Sequence, residues 1–256
     1  MQDWLETPLG EALLQQEARV VEEALDGIFG EECLQLGLWG ENRTFMRFTR
    51  TQRCLLIGES DTGKPCAVAD LHKLPVENDS IDAVLLPHTL DFCDRPHEIL
   101  REVDRVLRPN GHIVALAFKP AGLWGLRRLI PGAGMPPGTD NLISERRLRD
   151  WLKLLDMRIL NAQRYFFRWP LPRRRVNPSQ KWELRGQALW PELAACYMLT
   201  AQKRVSTLTP VRPLWRRKPK VVAGLAEPST RVSRIRFDKN LLEQDHRDLH
   251  RRRLPR

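Results

Sequence analysis

The sequence predicts an α/β domain: a doubly wound, mostly parallel sheet of seven strands with helices on both faces. Two observations carry that expectation. Apolar runs of strand length alternate with stretches whose apolar residues recur every three or four positions, from the N-terminus to about residue 204. One of the runs, "IDAVLLPH" (81–88), is apolar almost throughout, as suits a central parallel strand covered on both faces.

Each element has its own signal. From Pro8 to Ile28, Leu14, Ala18, Val21, Leu25 and Ile28 recur at spacings of four and three, which predicts an amphipathic helix with Gly30 just past its end. "ECLQLGLWG" is an apolar run closing on two glycines and predicts a buried strand entering a tight turn, followed by a short helix around Arg43 to Arg50. "RCLLIG" and "CAVAD" predict the second and third strands, and "IDAVLLPH" the fourth. Asp94 and Pro96 open a helix whose stripe is Ile99, Leu100, Val103, Val106 and Leu107, closed by the turn "RPNG" before "HIVALAF", the fifth strand. After a Gly- and Pro-rich loop (120–138), Ser144 caps a helix carrying Leu148, Trp151, Leu152 and Leu155. "MRILNAQRYFF" is the sixth strand; a short helix near Trp182 to Trp190 precedes "CYMLTAQKR", the last.

The chain has 256 residues and a formal charge of +10, and the charge is unevenly placed. Lys203–Arg256 holds 16 Lys and Arg against 5 Asp and Glu, while the preceding residues hold 26 against 27. Residues 1–204 therefore read as the folded domain and 205–256 as a basic, largely disordered tail. Such a tail can neutralise phosphates on nucleic acid or an anionic membrane, with Trp215 available to stack on a base, although no nucleic-acid module accompanies it. Five cysteines without a CxxC pair argue against a disulfide framework or a thiolate zinc site. His88, Cys93 and His97 offer three ligands with no fourth nearby, so no metal is expected. The acidic N-terminus lacks a signal-peptide pattern and no apolar run approaches ~20 residues, which predicts a cytoplasmic protein without a membrane span.

"GESDTGKP" (58–65) places Gly58, four residues and then Gly63-Lys64 after a strand, the outline of a phosphate-gripping loop. That loop needs a Ser or Thr after the lysine and a helix starting there. Here Pro65 follows and the chain continues as a strand, so the segment reads as a polar turn.

Residues 69–118 carry the most information. Asp70 precedes the Leu74-Pro75 loop, Ser80-Ile81-Asp82 leads into the fourth strand, and "LREVDRVLRPNG" forms a helix and turn before the fifth. In this register the stretch resembles the class I S-adenosylmethionine-dependent methyltransferases of the type 11 group. "TPLGEALL" (7–14) and "GLWGLRRL" (122–129) extend the likeness to bacterial members of that group with a basic tail and no known substrate. The resemblance implies a Rossmann-like methyltransferase fold, S-adenosyl-L-methionine as cofactor and methyl transfer to an acceptor it does not name.

It also implies a site. The family's acidic-x-Gly-x-Gly-x-Gly turn falls on Gln35-x-Gly37-x-Trp39-Gly40, with Gln at the acid's position and Trp at the middle glycine's. A main chain free of side-chain bulk is needed there to pass under the cofactor at the end of the first strand. Glu59, 22 positions after Gly37, stands where a carboxylate would bond ribose hydroxyls, and Asp61 is the alternative. Asp70 and Leu71 fall at the adenine, and Pro87, His88 and Thr89 beside the methyl group and acceptor. His88 is the candidate base, opposed by the reading of a strand-end histidine bonded to the main chain. Lys119 is a further candidate for substrate contact. A second reading of the whole chain is a binding or regulatory module of the same fold that has lost catalysis and contacts nucleic acid through the tail.

Overall fold

A computed structural model describes residues 2–41, 44–61, 63–122, 124–125, 136–139, 141–168, 186 and 189–204. The basic tail, and most of the helix expected near Trp182 to Trp190, lie outside the described residues.

All seven expected strands form one sheet: β1 (Phe29–Leu36), β2 (Arg50–Gly58), β3 (Ala67–Val68), β4 (Ile81–Pro87), β5 (Leu107–Phe118), β6 (Met157–Tyr165) and β7 (Cys196–Lys203). Their order is β3-β2-β1-β4-β5-β7-β6. The pairs among β1 to β5 are parallel, and β7 runs antiparallel to both of its neighbours. Strand order reverses between β1 and β4, so the crevice where open α/β sheets bind ligands lies at their carboxyl ends.

Among the described residues four helices cover the sheet: α1 (Gln2–Leu5), α2 (Pro8–Leu25), α3 (Pro96–Val106) and α4 (Glu145–Leu154). The Thr7 hydroxyl caps α2 by accepting from Gly10 N at 3.2 Å, and Ser144 caps α4 as expected. Leu13, Val20, Val21 and Leu25 of α2 share a core with Cys33, Ala83, Leu85, Val114 and Leu116. Ile99, Leu100 and Val103 of α3, with Leu148 and Leu152 of α4, share the other core with Leu34, Leu36, Val84, Leu86 and Ala115.

Three local expectations are corrected. The buried face of α2 keeps Val21 and Leu25 of the expected stripe but is completed by Leu9, Leu13, Glu17 and Val20, with Leu14 and Ala18 only half-buried, and it contains a charged residue. Where a helix was expected around Arg43 to Arg50 the described residues form only the 3₁₀ turn Met46–Phe48. Thr and Phe at 44, 45, 48 and 49 are weak helix formers, and Phe45 is instead fully buried in the α2-side core. The turn "RPNG" is absorbed into β5 as a register irregularity, with Asn110 in the left-handed region at φ 67.

The residues that carry the family resemblance are largely structural. Asp82 Oδ2 accepts from the main-chain N–H of Glu31 (2.7 Å) and Glu32 (3.0 Å) and from Arg108, tying β4 to the start of β1. Burial would raise its carboxyl, but those donors hold it below the usual range. Arg105 donates to the carbonyls of Leu74 and Val76 and to Glu102, while Glu102 accepts from Leu74 N. The pair fastens the Leu-Pro loop to α3.

Candidate active site

A cavity of about 440 Å³ opens at the carboxyl ends of β1, β2 and β4. It is lined by Gly37 and Leu38 after β1; Gly58, Glu59 and Ser60 at β2; Pro65 and Leu71; Pro87, Thr89, Phe92 and Cys93 after β4; and Asp3 of α1. Of the expected cofactor residues it gathers Gly37, Glu59, Leu71 and Pro87. Gly37 has φ 80, and a Cβ there would stand 2.9 Å from Thr89 Oγ1, so glycine is needed both for conformation and for the close approach of β1 to β4. The Thr89 hydroxyl donates to the Leu36 carbonyl and fixes that approach. Burial pushes the Cys93 thiol up to about 12, so it stays protonated.

Gln35, Trp39, Gly40, Asp70 and His88 do not line the cavity. Asp70 is exposed at its rim: its Oδ1 accepts from His72 N at 2.8 Å and pairs with His72 Nδ1 at 2.9 Å, and those bonds lower its pKa. Ligand atoms of Glu59, Asp70 and His72 lie within 4.8 Å of one another, so both expected carboxylates converge. Gln35 is buried; its Nε2 donates to the Gly37 carbonyl at 3.2 Å, while its Oε1 has no partner among the described residues. Gly40, at φ 74, abuts Leu14 of α2. Trp39 takes a core position in place of the expected cofactor contact, its ring beside those of Trp4, His88, Phe92 and Phe118.

The base expected at His88 is also corrected. His88 has no exposed surface; Nε2 meets Glu17 Oε1 at 2.7 Å and Nδ1 meets Asp91 Oδ2 at 3.0 Å, leaving neither nitrogen for an acceptor. Burial disfavours the imidazolium, yet the Glu17 and Asp91 carboxylates prevail and raise its pKa to about 9. Glu17 also accepts from Trp39 Nε1 at 2.6 Å and Tyr165 OH at 3.3 Å. Lys119 is equally committed, its Nζ bonded to the Glu192 carboxylate at 2.6 Å. Sequence reasoning missed Glu17, although an acid within the apolar stripe of α2 was a legible sign of a buried partner.

A family model described as "Methyltransferase domain" matches residues 50–115. The chain is 34% identical over 184 residues to the uncharacterized protein YafS of Escherichia coli (strain K12), covering 70% of this chain and 71% of that one. The chain belongs to the class I, type 11 S-adenosylmethionine-dependent methyltransferases. Over 96 residues this methyltransferase is also 30% identical to a malonyl-[acyl-carrier protein] O-methyltransferase of Methylococcus capsulatus, spanning 38% of this chain and 32% of that one. In fold it is similar to a SAM-dependent methyltransferase from Archaeoglobus fulgidus, with a TM-score of 0.56, 16% identity, and coverage of 75% and 94% of the two chains. Its expected cofactor is S-adenosylmethionine, and the cavity offers a turn kept bare at Gly37, a carboxylate at Glu59 and an apolar wall at Leu71 and Pro87. Among the described residues of the methyltransferase, no helix is long and apolar enough to cross a membrane.

Proposed function

We propose that the cavity between Gly37, Glu59, Leu71 and Pro87 is the cofactor site, and that methyl transfer there proceeds by positioning, without a base from the protein. When bound, S-adenosylmethionine supplies a methyl group activated by a sulfonium. Gly37 would let the main chain pass beneath it, Glu59 would accept from ribose hydroxyls, Asp70 would face the adenine edge, and Leu71 and Pro87 would exclude water. Thr89, Phe92 and Cys93 would bound the acceptor side.

The observation that carries this reading is the burial of His88 between two carboxylates. The titratable lining residues are then Asp3, Glu59 and Cys93, and the Cys93 thiol is held protonated. Such a site suits acceptors that bring their own lone pair, such as a neutral amine, a carboxylate or a thiolate, better than an alcohol that must be deprotonated. The alternative of a fold that has lost catalysis has no observation favouring it.

Titration calorimetry with S-adenosylmethionine and S-adenosylhomocysteine tests the site. Both should bind, and Glu59→Ala should weaken both on the order of tenfold, the loss of one charged hydrogen bond. No heat with either ligand, or an unchanged affinity in Glu59→Ala, would refute the assignment.

A further inference from the structure

A second cavity, of about 620 Å³, opens beside β2 and shares no lining residue with the first. It exists because the β1–β2 crossover has, among the described residues, only the turn Met46–Phe48 where a helix would otherwise cover the sheet. Cys54, Cys66, Thr49, Arg47 and Lys64 are among its lining residues. Cys54 is half-buried, and in the strand register it sits directly opposite Cys33, which is 1% exposed. Both belong to the α2-side core.

We propose that Cys54 is a peroxide-sensitive thiol and Cys33 its resolving partner, so that β1 and β2 carry a reversible oxidation site. Cα atoms paired across neighbouring strands lie about 4.8 Å apart, within the ~4.4–6.8 Å that a disulfide spans. Residues paired across neighbouring strands turn their side chains to the same face, and both cysteines pack in the α2-side core. The neighbouring Cys33 thiol lowers the Cys54 pKa against the opposing effect of burial. The Cys54 sulfur beside it, and burial, raise Cys33. The accessible sulfur is thus the nucleophile and the inaccessible one keeps its proton. Arg47 and Lys64 stand on the wall of the same cavity.

The chemistry balances with a peroxide as oxidant. The Cys54 thiolate attacks one peroxide oxygen, the O–O bond breaks, and the departing oxygen leaves as water after taking up a proton, giving the sulfenic acid. Cys33 sulfur then attacks Cys54 sulfur; the S–S bond forms, the S–O bond breaks, and the oxygen leaves as water with the Cys33 proton. Two thiols are oxidised by two electrons and the peroxide is reduced by two. A dithiol reductant restores both. The site does not depend on what occupies the first cavity.

The test is peptide mapping of the full-length protein after stoichiometric hydrogen peroxide, with remaining thiols blocked by iodoacetamide. Arg43, Arg47, Arg50 and Arg53 separate Cys33 from Cys54 in a tryptic digest. Lys64 precedes Pro65 and keeps Cys54 and Cys66 in one peptide, so fragment ions must assign the sulfur. We expect a Cys33–Cys54 disulfide that a dithiol reverses. In Cys33→Ser, we expect a sulfenic acid at Cys54, trapped by a cyclic 1,3-dione. Cys54 should lose its free thiol about tenfold faster than Cys66. Oxidation of Cys66 or Cys93 while Cys54 still takes up iodoacetamide, or a Cys54–Cys66 link, would overturn the proposal. The wild-type mapping decides even where the variant folds poorly.

Discussion

Glu17 Oε1 stands 2.7 Å from His88 Nε2 with both side chains wholly buried, joining α2 to the residue that follows β4. His88 adopts φ 57, its N–H donates to the Leu116 carbonyl at 3.0 Å, and its ring lies beside those of Trp39 and Phe118. A left-handed non-glycine residue persists only where its surroundings hold it, and here two carboxylates do so. Because Pro87 and Thr89 on either side line the first cavity, the ion pair positions the cavity wall without itself lining it.

The first prediction concerns pH. His88 has a folded pKa of about 9 against an ordinary 6.5, so its stabilisation is complete below about 6.5 and is lost as pH rises through about 9. Asp91, whose carboxyl is raised by burial, acts in the same direction. The unfolding free energy should therefore fall by on the order of 2–3 kcal/mol between pH 6.5 and 9.5, read as a falling thermal midpoint. His88→Gln should flatten that slope. It should also cost about 3–5 kcal/mol at neutral pH, because Glu17 and Asp91 remain buried without their cation. A wild-type midpoint that does not move over this range would refute the charged pair.

Gly37 gives a second prediction. Gly37→Ala must hold φ near 80 with a Cβ 2.9 Å from Thr89 Oγ1. The left-handed conformation alone costs about 1–2 kcal/mol. Displacing Thr89 also breaks its bond to Leu36, so cofactor affinity should drop more than stability does. Gly27→Ala is the control: a Cβ there meets nothing within 4 Å, and stability should hold or rise slightly. Equal cofactor affinity in the two variants, measured by calorimetry, would contradict the assigned role of the turn.

Arg105 lies outside the cavity, yet it fastens the loop that follows Leu71 to α3 through Leu74 O, Val76 O, Asn78 Oδ1 and Glu102. Arg105→Ala should cost about 1–3 kcal/mol from the loss of charged hydrogen bonds. Arg105→Lys should recover little of it, since an ammonium cannot reproduce a fork that reaches two carbonyls and a carboxylate together. Denaturant melts of the two variants check this; a lysine variant matching wild type would show that charge alone suffices.

These cases mark what a reading of the sequence could reach. The seven strands were legible because a parallel sheet covered on both faces demands apolar runs, as in β4 and β5, and such runs are visible without tertiary knowledge. Gly37, Glu59, Leu71 and Pro87 were legible because the cavity sits at strand ends, whose positions follow from the strands themselves. Trp39 and His88 were misread for a shared reason. Each sits at a strand end beside the cavity, but which way a side chain turns there depends on a partner far along the chain, and that partner is Glu17. The missing crossover helix was hidden because Phe45 is buried through tertiary packing, which local periodicity cannot register.

Gln35 provides the last prediction, and it explains a departure from the family pattern. The resemblance places an acid at this position. In this chain the Gln35 amide nitrogen donates to the Gly37 carbonyl at 3.2 Å, drawing the end of β1 into its turn, inside a site with 1% exposure. A carboxylate cannot donate, so Gln35→Glu would set an acceptor against the carbonyl and bury a charge with no cation given to it by the surrounding contacts. Either effect costs about 1–3 kcal/mol and the charge adds more. Gln35→Glu should therefore be less stable than wild type near neutral pH and recover as the pH falls, because protonation restores one donor and removes the charge. Gln35→Met, which fills similar volume without polar atoms, should be the milder change even though it removes the Gly37 bond, because it leaves no orphaned oxygen like Gln35 Oε1. Melting both variants across acidic and neutral pH decides the matter: a glutamate variant as stable as wild type at neutral pH would mean that the turn does not need the donor, and that the glutamine is not an adaptation of this chain.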